Sequence, residues 1–284
     1  MSTQGLIESF PSNFPYRVSL SAFGSPDKQF HVEIMKIRSA TIRRTAIAFA
    51  VVGLTGAGLL SAQFGFRRNV VQQNDPPHTE FIAARWQFNA NGLIGFTGWT
   101  HNYPDSERHL NEMLAEVTTV NVERMSYRIV ALGSDEVFKY PFAYVSEPGE
   151  MDMTEVELEN FRQYIDRGGF VVVDDFDGDH IVNLRNQVRK AFPDRELIPV
   201  GVNHPAFHAF YDTESLEIFA PYVTGGRPEY YGLLNKDGDL GMIALWNNDL
   251  ANFWDWIDQA RYPLEPSSEA FRMGVNFVIY AMSH

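Results

Sequence analysis

Beyond residue 79 the chain switches repeatedly between short apolar runs and amphipathic stretches whose apolar residues recur three or four apart, the mark of strands alternating with helices. EFIAARWQF (80–88) predicts a first strand. After the glycine-containing loop NANGLIGFTGWTHNYP, the segment DSERHLNEMLAEVT sets Leu110, Met113, Leu114 and Val117 on one helical face. RIVAL (128–132) and FAYVSEP (142–148) read as two further strands. Thr154 and Glu157 have capping-box spacing and open a helix that ends at Gly168-Gly169. GFVVVDDF (169–176) follows, and its unbroken run from Phe170 to Val173 fits a central parallel strand buried on both faces. A helical pattern from Ile181 stops at Pro193, and ELIPV supplies another short strand. From about residue 217 the pattern changes: EYYGLLNKDGDLGMIALW predicts a hairpin through Asp237-Gly238, and helices over about Asp249–Gln259 and Ser268–Ser283 close the chain. These elements predict one α/β domain over 79–284, a flavodoxin-like or Rossmann-like parallel sheet sandwiched by helices, with a C-terminal hairpin and two helices.

A different pattern precedes that domain. KIRSATIRRTAIAFAVVGLTGAGLLSAQ (36–63) begins with Lys36, Arg38, Arg43 and Arg44, continues uncharged from Thr45 to Gln63, and carries small residues near Ser61 and Ala62. That is the layout of a bacterial secretory signal, with an N-terminal membrane anchor as the alternative. The Arg43-Arg44 pair invites a twin-arginine reading, but Thr45-Ala46 departs from the bulky apolar continuation. Residues 35–63 are therefore expected to be the signal or anchor, with cleavage between Gln63 and Arg67, and Met35 to be the true start. Residues 1–34 then read as an over-extended start, and 64–78, which end in a polar, proline-bearing run, as a linker. The expected location is periplasmic or otherwise extracytoplasmic, with membrane contact only through the N-terminal segment.

Composition sharpens this picture at two points. The chain is 284 residues long, 45% hydrophobic and 14% aromatic, enough to bury a full-sized core. Its net charge is −13, and because the first 63 residues carry more basic than acidic groups, the folded part is more acidic still. Such a domain repels nucleic acid. The absence of cysteine removes disulfides, thiol nucleophiles and thiolate metal ligands together. No P-loop, no Gly-x-Gly-x-x-Gly after a strand and no His-Glu-x-x-His occurs, so nucleotide, dinucleotide and metalloprotease readings lack their defining groups.

Three groups of residues could carry chemistry. Asp174, Asp175, Asp177 and Asp179 follow the central strand, where parallel sheets bind ligands, and their oxygens suit a hard cation. The spacing is not that of an EF-hand, and the plainer alternative is a turn whose aspartates cap the next helix. His204, His208 and Asp212 recur every four residues and could present two imidazoles and a carboxylate to a zinc or iron ion. Alternatively His204 serves the backbone while the neighbouring aromatics fill core. His204 is expected at the carboxyl edge of the sheet, beside the aspartates. Third, Trp99 and His101 in one loop, and Trp246-Asn247-Asn248-Asp249 in another, place indoles near amides and a carboxylate, a combination that holds sugars as readily as it packs a core. Trp254 and Trp256 cannot both face the core of one helix.

Gly168-Gly169-Phe170 with Asp174-Asp175, then Phe192-Pro193, His204-Pro205-Ala206-Phe207-His208, Trp246-Asn247-Asn248-Asp249 and Gly274-Val275-Asn276-Phe277-Val278-Ile279-Tyr280 form an ordered succession that resembles domain-of-unknown-function family 4159. The resemblance implies a fold similar to that of class I glutamine amidotransferases and no particular activity. Amidotransferase chemistry needs a cysteine on a sharp strand-to-helix turn, and neither a cysteine nor a Gly-x-Ser-x-Gly elbow is present. Two functions remain in play. One is a non-catalytic envelope module that binds a small polar ligand, a glycan or an envelope protein. Its candidate residues are Trp99, His101, Asp174, Asp175, Asp177, His204 and Asp249. The alternative is a metal-dependent hydrolase that uses His204, His208 and Asp212 with carboxylates from Asp174 to Asp177, and a divalent metal is the one cofactor these residues suggest.

Overall fold

The computed structural model describes residues 73–90, 97–220, 223 and 226–284, so the expected signal or anchor lies outside the described residues. A sheet of seven strands forms the centre: β1 (Ala83–Gln87), β2 (Tyr127–Ala131), β3 (Phe142–Ser146), β4 (Phe170–Phe176), β5 (Ile198–Pro199), β6 (Glu229–Leu234) and β7 (Leu240–Trp246). Their spatial order is β2-β1-β3-β4-β7-β6-β5. The first five in that order run parallel, while β6 pairs antiparallel with β7 and β5 antiparallel with β6. This is the α/β arrangement that the alternation of periods predicts, and it is consistent with a flavodoxin-like order. From β1 the chain moves outward to β2 and returns to β3 on the other side. The switch point between β1 and β3 lies at the carboxyl ends of the strands, the edge where open α/β sheets bind ligands.

Helices cover both faces. α1 (Asp105–Val117), α4 (Leu250–Asp255) and α5 (Leu264–Ser283) pack together on one side, and α2 (Glu155–Asp166) and α3 (His180–Ala191) pair on the other. The period-2 alternation of β4 serves both layers. Phe170 and Val172 join the cluster containing Phe277 and Tyr280 of α5, while Val171 and Val173 alternate to the opposite face. On the α2 side, Trp86 of β1 meets Phe161 and Tyr164 edge-on at 6.0 and 4.8 Å. α5 is buried nearly all round because it packs against α1, α4, the sheet and the 3-10 turn Pro205–Phe207. A Cβ on Gly274 would come within 2.7 Å of the Trp254 ring and 2.9 Å of Leu110, so glycine is what lets the three helices approach. Trp254 is buried and Trp256 only half-buried, as their spacing requires.

Local chemistry sets the boundaries. Thr154 and Glu157 form the reciprocal capping box of α2. In the β6–β7 hairpin, the Asn235 side-chain oxygen accepts from the backbones of Asp237 and Asp239, both at 2.9 Å, and Gly238 takes φ 94°. Of the residues expected to act as linker, Gln73 and Asn74 lie fastened along β2. Gln73 exchanges hydrogen bonds with the Ile129 backbone at 2.8 and 3.2 Å, and Asn74 donates to the Met125 and Tyr127 carbonyls. Side-chain amides thus satisfy groups on β2, the edge strand of the sheet among the described residues. Among the described residues, no helix is long and apolar enough to cross a membrane.

Candidate functional site

Three loops meet at the switch point. The loop after β1 runs through the 3-10 turn Gly98–Thr100 to His101; β3 ends at Ser146 and turns at Glu147; β4 carries Asp175 near its end. His101 Nδ1 lies 2.5 Å from Asp175 Oδ2 and 4.0 Å from Glu147 Oε1, and Ser146 Oγ donates to the same Asp175 oxygen at 2.8 Å. One ligand atom from each of His101, Glu147 and Asp175 lies within 4.8 Å of the others, the one such group of three found among the described residues.

The side chains remain open to solvent to different degrees, 45% for His101, 36% for Glu147 and 15% for Asp175. The hydrogen bond to Asp175 raises the His101 pKa against the opposing cost of burial, and the Asp175 and Glu147 charges add to the rise. Glu147 is raised by burial first and then by repulsion from Asp175. The Ser146 hydroxyl and the His101 ring both bind Asp175 rather than each other, so they do not form the serine–histidine pair of a nucleophilic hydrolase.

The backbone at this edge is unusual. Asn102, Glu147, Asp175 and Asn247 all take positive φ, at 62, 51, 62 and 57°. Such conformations cost roughly 1–2 kcal/mol for a non-glycine residue, and they concentrate where a fold holds functional groups in place. At Asp175 the deviation coincides with a register shift between β4 and β7 that spans Val173 to Phe176. The bulge re-aims the Asp175 carboxylate toward His101 and Ser146.

Beneath these side chains, a buried arginine supports the His101 loop. Arg85 of β1, 1% exposed, donates from Nη1 to the carbonyls of Trp99 (3.2 Å) and His101 (3.0 Å), and from Nη2 to Ser106 Oγ (3.2 Å). Its Nε binds Glu107 Oε1 at 2.7 Å, and its guanidinium lies 4.4 Å from the centre of the Tyr144 ring. Arg85 thereby converts the rigid strand into a clamp on the backbone of His101. Neither Arg85 nor Glu147 stands out by sequence spacing. The available signals were a charged residue inside the apolar run FIAARWQF and a glutamate between a strand and Pro148.

The sequence candidates divide accordingly. His101 and Asp175 come together. Asp177 is half-buried on the following turn. Asp174 points to the other face, where it is fully buried: its Oδ2 accepts from the Tyr144 hydroxyl and from the backbones of Leu250 (2.7 Å) and Ala251 (3.1 Å). Burial pushes its pKa up to about 6. Asp249 is the N-cap of α4 and spends both oxygens on Asn252, at 3.0 and 2.8 Å. Trp99 is 5% exposed and packs in the core, so its ring offers no stacking face. Asp179 stands at the N-cap of α3 without a side-chain capping bond, contrary to the capping expectation.

His204, His208 and Asp212, expected to hold zinc or iron, do not form a three-ligand group among the described residues. His204 caps the 3-10 turn Pro205–Phe207, its Nδ1 accepting from the Ala206 backbone at 3.1 Å. His208 spends one nitrogen on the Val202 carbonyl (2.7 Å) and faces Asp212 with the other (3.2 Å). No helix aligns the two imidazoles. Nor does His204 reach the carboxyl edge: its ring lies 6.0 Å from Tyr280, whose ring lies 5.1 Å from Phe170, the first residue of β4. Asp175 is five residues further along, about 16 Å at the strand rise. Buried Asn276 holds this segment instead, accepting from the backbones of Phe210 and Tyr211 and donating to the carbonyls of Phe207 and Tyr211.

Residues 93–282 match the family described as Domain of unknown function (DUF4159). The chain belongs to that family. His101, Glu147 and Asp175 all fall inside the DUF4159 match, whereas Arg85 precedes it. No curated protein matches the chain.

Proposed function

We propose that this DUF4159 chain is an exported, non-catalytic binding module of the cell envelope, whose crevice between β1, β3 and β4 takes a small polar ligand bearing hydroxyl or amine groups. One observation carries the reading: His101, Glu147 and Asp175, far apart in sequence, converge on the switch point with solvent-facing polar atoms. Two carboxylates and an imidazole favour a ligand that donates hydrogen bonds. Saccharides fit that description through their hydroxyls, without the indole stacking that the burial of Trp99 removes. Export rests on the basic and then apolar pattern of residues 35–63.

We further infer a class I glutamine amidotransferase-like ancestry for the fold. The support is the corner after β3, where Glu147 turns through the left-handed region into the 3-10 turn Pro148–Glu150. It is the sharp strand-to-helix kind of corner on which such nucleophiles sit, occupied here by a carboxylate. The hydrolase alternative would need His204, His208 and Asp212 to meet the aspartates, and the three-ligand group among the described residues is His101, Glu147 and Asp175 instead.

The test is a thermal-shift panel of N-acetylglucosamine oligomers, muramyl dipeptide and spermidine against the full chain. A stabilising ligand whose shift disappears in Asp175→Asn and survives in His208→Ala supports the crevice. A shift indifferent to Asp175→Asn, or no shift from any compound, overturns it.

A further inference from the structure

The ligand crevice has the donor set of an open metal site. We propose that His101, Glu147 and Asp175 together bind one divalent first-row transition ion, of the zinc, iron or manganese class, and that this ion anchors an oxygen atom of the ligand. The inference rests on the crevice being the binding site and names how that site holds its ligand.

Geometry is the first support. Donor atoms bound to one tetrahedral ion at about 2.1 Å lie roughly 3.4 Å apart. The observed separations straddle that value, with 2.5 Å between His101 and Asp175, 4.0 Å between His101 and Glu147, and every pair within 4.8 Å. An ion would replace the His101–Asp175 hydrogen bond and open that pair by about 1 Å, a shift within reach of χ rotation in partly exposed side chains.

Ligand type selects the ion. Calcium takes six to eight oxygens at a longer distance, and magnesium prefers oxygen and water. An imidazole with two carboxylates instead suits first-row transition ions, and three protein ligands leave positions open for a bound molecule.

The surroundings supply the charge and the rigidity that such a site needs. Glu147 and Asp175 set two carboxylates beside one imidazole, while the nearby cation Arg85 is already committed to Glu107. A dication offsets this excess of negative charge. Ser146 Oγ holds Asp175 from outside the triad, and Arg85 holds the His101 carbonyl, the kind of outer contacts that orient metal ligands. A bound ion also explains how an acidic crevice would accept an oxygen-rich ligand, which its carboxylates alone meet only through hydroxyl hydrogens.

The experiment is calorimetric titration of the chelator-stripped full chain with Zn2+, Mn2+ and Ca2+ separately, alongside Asp175→Asn, His101→Ala and His208→Ala, each checked for native circular dichroism. The expected result is one Zn2+ or Mn2+ per chain, bound at least about 100-fold more weakly by Asp175→Asn and His101→Ala, since even second-shell losses reach that size. His208→Ala should bind as the wild type does, and Ca2+ should bind more weakly than Zn2+. Absence of binding, binding that survives both crevice variants, dependence on His208, or preference for Ca2+ would each overturn the proposal. Ligand binding in chelator that still depends on Asp175 would overturn the ion while leaving the crevice intact; loss of both removes the crevice as well.

Discussion

Two regions of this molecule carry histidine beside aspartate, and they put those groups to opposite uses. In the segment from His204 to Asp212 the imidazoles serve the backbone, and Asn276 stitches the segment onto α5 with hydrogen bonds in both directions. At the switch point His101, Glu147 and Asp175 face one another across three loops, on left-handed backbone at two of the three positions. Regular spacing in sequence marked the structural region, whereas the candidate site has no spacing at all. What separates them is where the polar atoms go: into the fold in one case, toward a shared point near solvent in the other.

That contrast can be attacked at its supports. The largest effect is expected from Arg85→Met, which leaves Glu107 buried without its partner and releases the His101 loop. Denaturant melts should show a loss of about 3–5 kcal/mol, and an unchanged midpoint would mean that Arg85 does not clamp the site. Asn276→Leu should cost about 2–3 kcal/mol by orphaning buried backbone groups in residues 207–211. Hydrogen exchange should rise there and stay unchanged around Glu147; uniform change across both regions would erase the distinction drawn between them.

Smaller effects separate strain from support. Glu147→Gly removes a non-glycine residue from φ 51°, and it should stabilise the fold by about 1 kcal/mol, net of glycine's own entropy cost, while weakening ligand binding. Destabilisation instead would assign Glu147 a packing role. Away from both regions, Arg195 grips Asp166 through two hydrogen bonds, at 2.6 and 3.0 Å, and holds its carboxyl below the ordinary value of 3.8. A depressed folded pKa contributes stability above that value and loses it as acid titrates Asp166 below it. Asp166→Asn should therefore cost up to about 1 kcal/mol near neutral pH and flatten the acid limb of the stability curve. His101→Ala should change stability by less than about 0.5 kcal/mol, as expected of an exposed residue outside the core.

Much of the fold was legible because its signals are local. The Phe170 to Val173 run, the Thr154/Glu157 box and the Asp237-Gly238 turn each determine an element from neighbouring residues alone. The site was only half legible. His101 and Asp175 stood out as polar groups at strand ends, but their partner Glu147 and their support Arg85 are joined to them solely by the β2-β1-β3-β4 strand order. Residues every four apart suggest a shared helical face, and Pro205 with the following aromatics made a 3-10 turn and an irregular segment instead. Asp249 and Trp99 carried the right chemistry, yet a cap and a core position absorbed them.

The most direct measurement is a Mn2+ titration of the full isotope-labelled chain followed by amide NMR, because a paramagnetic ion erases signals only near where it binds. The account predicts early loss of the amides of His101, Ser146, Glu147 and Asp175, with those of His204, His208 and Asp212 still sharp. Broadening centred on 204–212, or none in either region, would contradict it.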